Sequence, residues 1–467
     1  MRIIKMFVLI GGLVFINTGC KKFLDINDDP NNPLSVKEVQ LLPGIEAATS
    51  SLVVGGTSTN ITAYWMQQLS LNQQAPNLES YLINGTDVNN TWNYELYTSV
   101  FANLNIMTSQ AVNAKHNRYA AIGKTLFAYN LAIASDLWNN IPYSEGFRIP
   151  EVMKPKYDSQ ENVYRTIQQM LDSALYYINQ PAGVAVPGGD DFIYKGDMTQ
   201  WKKLIYTLKA RYYLRLSKAP GRTAALQADS ALTALQNGFG NNDDNAFVPY
   251  PGTGNGSNPW FYNFSAASGG VVLGQSFVDS LKSRNDPRLP IIAKKNADGV
   301  YVGRKVGDKP AGNASAYSGV NSFYGGAAAK LYLATYSEAL FIKAEATLIK
   351  QGAAAAQPVY QTAIAAHMSL LGVAADAQQA YIASRPALTD ANAVQQIISE
   401  KYIADFLSPE VYNDWRRTGF PQLIPYVGTG VNGIPRRWPY PATELLTNPQ
   451  PDQKATVNDR VWWDTSN

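Results

Sequence analysis

The stretch RYAAIGKTLFAYNLAIASDLW, residues 118–138, decides the fold class. Ile122, Leu126, Tyr129, Ile133 and Leu137 recur at steps of three and four, the spacing that places side chains on one face of an α-helix. Ala121, Ala128 and Ala132 lie between them and let a neighbouring helix approach closely. Four more stretches repeat the pattern. In YDSQENVYRTIQQMLDSALYYI (157–178), Asp158 and Glu161 predict a capping box. Val163, Ile167, Met170, Ala174 and Ile178 form its buried stripe. Residues 197–216 carry Trp201, Leu204, Leu208 and Tyr212. Residues 331–352 carry Tyr336, Leu340, Ala344 and Leu348, with Gly352 as a C-cap. Residues 394–407 carry Val394, Ile398, Tyr402 and Phe406. Few strand-type alternations compete, so Trp201, Leu208, Leu340 and Phe406 are expected between helices.

Between the helices the chain changes character. Residues 240–330 and 417–467 are dominated by Gly, Asn, Ser and Pro with aromatics embedded. Loops of that length are uncommon inside a compact protein unless they are functional or disordered. Their aromatic content argues against disorder. The fold class is therefore all-α: a tetratricopeptide-like helix-pair scaffold, without a clean 34-residue period, carrying a long irregular aromatic-rich loop region.

The N-terminus reads as an export signal. Met1–Lys5 is basic through Arg2 and Lys5, and Met6–Ile16 is apolar before small and polar residues. The run is shorter than the ~20 residues that a membrane-spanning helix needs. Cleavage after Gly19 would leave Cys20, the one cysteine of the chain, as the new N-terminus. That is the arrangement of a bacterial lipoprotein, although Asn17 stands where an aliphatic residue is usual. The predicted organisation is a signal peptide over 1–19, a lipidated tether over 20–40 and a single α-helical domain over 41–467, irregular at about 240–330.

Composition excludes several function classes. One cysteine permits no intrachain disulfide and no cysteine metal site. The two histidines, His116 and His367, lie far apart, which disfavours a histidine-rich metal centre. The formal charge is +3, and losing Arg2 and Lys5 with the signal leaves +1, no footprint for nucleic acid. DINDDPNNP (25–33) starts like a calcium loop through Asp25, Asn27 and Asp29. Pro30 then replaces the turn glycine and Val36 the bidentate glutamate. Asp243 and Asp244 read as a solvated turn. Glu338 and Glu345 share a helix face about 10.5 Å apart along the axis. Glycosidase carboxyls sit about 5–9.5 Å apart, a separation that leaning side chains could reach; on an Ala-rich helix face, hydrogen bonding to a neighbouring helix is the better reading of these acids. Arg416, Arg417, Arg436 and Arg437 are expected to pair within the fold, with carboxylates or helix C-termini.

Taken in order along the chain, CKKFLDINDDPNNP, DLWNNIPYSE, PKYDSQENVY, GDMTQWKKLIYTLKARYYLRLSK, NDPRLP, TYSEALFIKAEATL, SEKYIADF, VYNDWRRTGFP and IPRRWPYPATE resemble a SusD/RagB-family lipoprotein over nearly the whole mature chain. WNNIPY departs from the Gly-Asp common after that Trp. The resemblance implies a lipid-anchored, outward-facing outer-membrane protein that works as the lid of a SusC/RagA-like TonB-dependent transporter. It implies capture of an oligosaccharide, or in some members a peptide, with no catalysis and no cofactor. A glycan-cleaving enzyme and a structural surface scaffold are the competing classes.

A sugar offers an apolar C–H face and a hydroxyl rim, which suits stacking aromatics beside Asn, Asp or Arg. Two stretches supply both outside the helical stripes. AYWMQQLSLNQQAPNLESYL (63–82) holds Tyr64, Trp65, Asn72, Asn77 and Tyr81. NPWFYNF (258–264) holds Asn258, Trp260 and Tyr262, with Tyr324 from the later loop. Trp92 is left out because its surroundings read as a buried stripe. These loop aromatics could equally pin the loops to the scaffold, Trp65 above all, since YWMQQL could be helical.

Overall fold

A computed structural model describes residues 36–265, 270–428, 430–450 and 454–465. The signal-like run, Cys20 and the turn at Asp25, Asn27 and Asp29 lie outside the described residues. The opening stretch forms the Asn117–Trp138 helix, buried along almost its whole length, as an element that is apolar on nearly all sides should be. It packs chiefly on the Gln160–Ile178 helix, which buries the expected stripe of Val163, Ile167, Met170, Ala174 and Ile178. The cap differs from the expectation by one residue. Ser159, not Asp158, accepts from the Asn162 N–H, and the Asp158 carboxylate instead accepts from the Tyr143 and Ser144 amides. Adjacent Asp and Ser are both cap formers, and tertiary contacts chose between them.

Two more pairs continue the scaffold: Met198–Arg215 with Ala224–Leu235, and Tyr336–Gln351 with Ala353–Leu370. The Ala224–Leu235 helix also touches Tyr336–Gln351, which carries the Ala393–Ala404 helix on another side. Gly352 ends its helix with φ near +85°. Trp201, Leu208, Leu340 and Phe406 are all buried, as is Trp92. Truncating Leu340 to alanine is expected to cost about 2–5 kcal/mol in chemical denaturation. An unchanged unfolding midpoint would contradict this packing.

The irregular region is fastened by two small sheets that the sequence pattern did not signal. Leu69–Leu71 pairs antiparallel with Val271–Leu273, and Ala246–Val248 with Leu331–Ala334. Three or four residues are too few for alternation to register. Asp244 is also a correction: it lies in a turn but is buried, bonded by Lys203 at 2.7 Å and by the Gly240 amide at 2.6 Å. Among the described residues no group of three or more metal-ligating side chains is assembled, and no helix is long and apolar enough to cross a membrane.

Buried charges lock the helices together. Arg211 grips Glu338 with two guanidinium nitrogens, and Arg417 grips Glu345 and Asp414. Arg215 lies between Asp136 and Glu410, and Lys401 bonds Asp414 at 2.6 Å. Arg416 and Arg437 donate to the Asp136 and Trp138 carbonyls at the C-terminal end of the Asn117–Trp138 helix, and Arg436 pairs with Asp464. The four arginines thus serve the fold, as expected.

His367 lies in the same buried layer, with Nδ1 facing Arg288 and Nε2 facing the Tyr324 hydroxyl, both at 3.2 Å. Burial and then Arg288 hold its pKa well below the ordinary value of about 6.5, so the ring stays neutral. The unfolded chain therefore binds an extra proton as pH falls below about 6.5, and stability drops. Urea midpoints of the wild type should fall between pH 6.5 and 5 more steeply than those of His367→Gln; parallel profiles would refute this.

Candidate functional site

A groove of about 670 Å³ opens where four distant segments meet: Gln67, the start of the Gln275–Ser283 helix, the 304–308 loop and the 424–427 loop. Its size lies within the range of small-ligand sites. Gln67 follows the Thr57–Trp65 helix in a left-handed conformation, with φ +55°, and turns the chain sharply. Its side-chain amide donates to the Ile424 carbonyl at 2.6 Å and accepts from the Ser276 hydroxyl, so one residue ties two walls together. Strain of this kind persists only where surroundings over-determine it.

The third wall is held from beneath. Arg304 is fully buried and pairs with Glu79 at 2.6 Å. The same guanidinium donates to the Ser70 hydroxyl and to the Gln73 and Asp308 carbonyls. Glu79 in turn accepts from the Leu71 amide at 2.7 Å and from Ser70. Gly307 has φ +83°, and a Cβ there would overlap the Tyr426 ring, so glycine lets this loop lie directly against Tyr426.

The side chains left facing the groove are chemically mixed. Tyr426 presents a half-buried ring, flanked by Ile424 at 82% and Val427 at 87% exposure. Gln275, Asp279, Lys305 and Asp308 are exposed along the lining, and none of these four side chains has a partner among the described residues. An aromatic surface with an apolar rim, an amide, two carboxylates and an ammonium can hold a ligand that is apolar on one face and hydroxylated at its edge.

The nine residues named from sequence fall into two clusters, and neither lines the groove. The first lies behind its wall. Asn72 accepts from the Ala311 amide at 2.9 Å, and the Tyr81 hydroxyl accepts from the Tyr426 amide at 3.1 Å. Asn77 caps the Leu78–Ser80 turn that presents Glu79 to Arg304. Tyr64 is buried, and Trp65 is wholly buried against Tyr412, its indole N–H donating to the Leu78 carbonyl at 3.1 Å.

In the second cluster, Trp260 and Tyr324 line a small pocket of about 40 Å³. Such a space admits water but not a sugar ring. Trp260 stacks on Phe264 with centroids 5.7 Å apart, and Tyr324 meets the edge of Phe406. Asn258 is fully buried, accepts from the Trp260 amide at 2.8 Å and donates to the Ala329 carbonyl. Tyr262, at 47% exposure, is the one aromatic ring of the nine in solvent. Sequence reasoning missed Gln67, Gln275, Asp279, Lys305, Asp308 and Tyr426. The available signal was LIPYV (423–427), apolar and aromatic residues outside any helical stripe.

Residues 30–441 match the family described as starch-binding and associating with the outer membrane. The chain belongs to the SusD-like family. Among solved structures, a chitin-binding protein is 23% identical and superposes with TM-score 0.80, over 92% of this chain and 100% of its own. A SusD/RagB-family protein from Bacteroides thetaiotaomicron VPI-5482 is 23% identical, with TM-score 0.75 over 93% of this chain and 100% of its own. A Bacteroidetes SusD-like protein is 19% identical, with TM-score 0.79 over 92% and 100%. At these identities the likeness shows the fold alone. No curated protein matches the chain. Members of the SusD-like family bind substrates, glycans among them, without catalysis, and work with outer-membrane transporters.

Proposed function

We propose that this SusD-like protein is a cell-surface lipoprotein that captures an oligosaccharide in the Tyr426 groove and delivers it to a partner TonB-dependent transporter. The observation that carries the reading is the groove lining, an aromatic ring and apolar rim beside four unpartnered polar side chains. The opposite charges of Lys305 and Asp279 also fit a zwitterionic peptide, which makes peptide capture the second reading. A cleavage role for Glu338 or Glu345 has no support, because Arg211 and Arg417 hold both carboxylates in buried pairs.

A screen of the purified protein on glycan and peptide arrays tests this reading. A glycan ligand recovered unchanged after incubation, together with co-purification of a large outer-membrane barrel, is expected. Peptides alone as ligands, or turnover of the glycan, would overturn it. Tyr426→Ala removes the half-buried ring and should weaken glycan binding while leaving thermal stability nearly unchanged; unaltered affinity in a folded variant would remove Tyr426 from the site.

The anchor in this proposal is an acylated Cys20. Stable anchoring needs two lipid signals, which full acylation of one cysteine supplies. Cys20→Ser should release the protein from outer-membrane fractions, and unchanged fractionation would contradict the lipid reading.

A further inference from the structure

A second pocket, of about 240 Å³, lies among the Asn103–Asn113, Asn117–Trp138 and Gln160–Ile178 helices and the 143–148 loop, and it shares no residue with the groove. Its floor is aromatic: Phe127 meets Tyr143 and Phe147 edge to face, with centroids 5.7 and 5.6 Å apart. Its charged lining is Lys124 and Arg148, and no carboxylate lines it. Lys124 is half-buried and has no ion pair or hydrogen bond to the described residues. Burial depresses its pKa, so a partly dried ammonium lacks a counter-charge. Among the described residues Arg148 pairs only with Glu151, at 3.1 Å and with both side chains more than half exposed, a contact that exchanges readily with solvent or ligand.

We propose that this pocket binds one acidic sugar unit, a hexuronate, with Lys124 opposite its carboxylate and the aromatic floor beneath its ring. A bare phosphate or acetate would use the cation and leave the floor uncovered. A neutral hexose would cover the floor and leave Lys124 unpaired. The volume lies below the ~300 Å³ where drug-sized sites begin, which suits a single ring. The exposed Ser109 hydroxyl and the Asn105 amide supply partners for ring hydroxyls.

The test is calorimetry of the full-length chain with glucuronate, with glucose as the neutral control. Glucuronate should bind at least about tenfold more tightly than glucose. Lys124→Met should lose about tenfold or more, Lys124→Arg should retain binding, and Tyr426→Ala should leave it unchanged. Thermal unfolding of each variant separates lost binding from lost folding. Absence of glucuronate binding, equal binding of glucose, an unaltered Lys124→Met isotherm in a folded variant, or loss in Tyr426→Ala instead would each overturn the proposal. Failure of the groove as a glycan site would appear in the array screen and leave this result unaffected.

Discussion

Replacing Arg304 by methionine should lower folding stability by about 3–5 kcal/mol and abolish ligand capture at the groove. Both partners of the Arg304–Glu79 pair are fully buried. Methionine has similar volume, so the loss comes from charge and not from a cavity. Glu79 would keep its bonds from Leu71 and Ser70 but have no counter-charge in a dry site. The 304–308 loop would lose the guanidinium that joins it to the Leu69–Leu71 strand and to the Gln73 carbonyl. Breaking a buried pair is costly, whereas replacing both members is often close to neutral. Glu79→Gln added to Arg304→Met should therefore recover most of the stability without restoring the groove. A single-variant cost below about 1 kcal/mol in urea denaturation would show that the pair does not hold this wall.

Arg215→Met should be at least as damaging, because it takes the nearest cation from two buried carboxylates, Asp136 and Glu410. Asp136 keeps the Tyr164 hydroxyl at 2.6 Å and the Trp463 indole at 2.8 Å, and Glu410 keeps Arg211 at 3.8 Å, but each loses its nearest cation. In the intact protein burial raises the Glu410 pKa, but Arg215 and Arg211 outweigh it and hold it below the ordinary value. Asp414 is treated alike: burial raises it, while Lys401 and Arg417 hold it at about 2. Groups with depressed pKa add stability above their unfolded values, near 4, and lose that contribution as pH falls through the folded values. The wild type should thus lose stability from about pH 4 downward. The gap between wild type and Arg215→Met should be about 3–5 kcal/mol or more near pH 7 and narrow in acid. A gap that widens in acid would contradict this assignment of charge.

How much of this was legible in the sequence follows from the range of each interaction. The Asn117–Trp138 helix could be read because its periodicity is local and its small residues are in sequence. Burial of Trp201 and Leu208 followed from the same stripes. The pairing of Arg416, Arg417, Arg436 and Arg437 could be expected in kind, but Asp464 as the partner of Arg436 lies 28 positions further along the chain, beyond a Pro-containing stretch that no local pattern links to it. The groove is assembled from residues 67, 275, 305 and 426, which no local pattern connects. For Trp65 and Trp260 the sequence left platform and pin open, because loop aromatics read alike whether they face solvent or core, and both are buried. Indole size favours burial, and here the smaller Tyr426 stayed at the surface. The early stretch was nonetheless near the mark in position, since Asn72, Asn77 and Tyr81 brace the groove from behind.

The most direct test of glycan capture is a crystal structure of the chain soaked with an oligosaccharide identified on the array. A sugar ring is expected against Tyr426, with its hydroxyls reaching Gln275, Asp279 and Lys305 and the Gln67 bridge to Ile424 intact. An oligosaccharide bound elsewhere, with the Tyr426 groove empty, would contradict it.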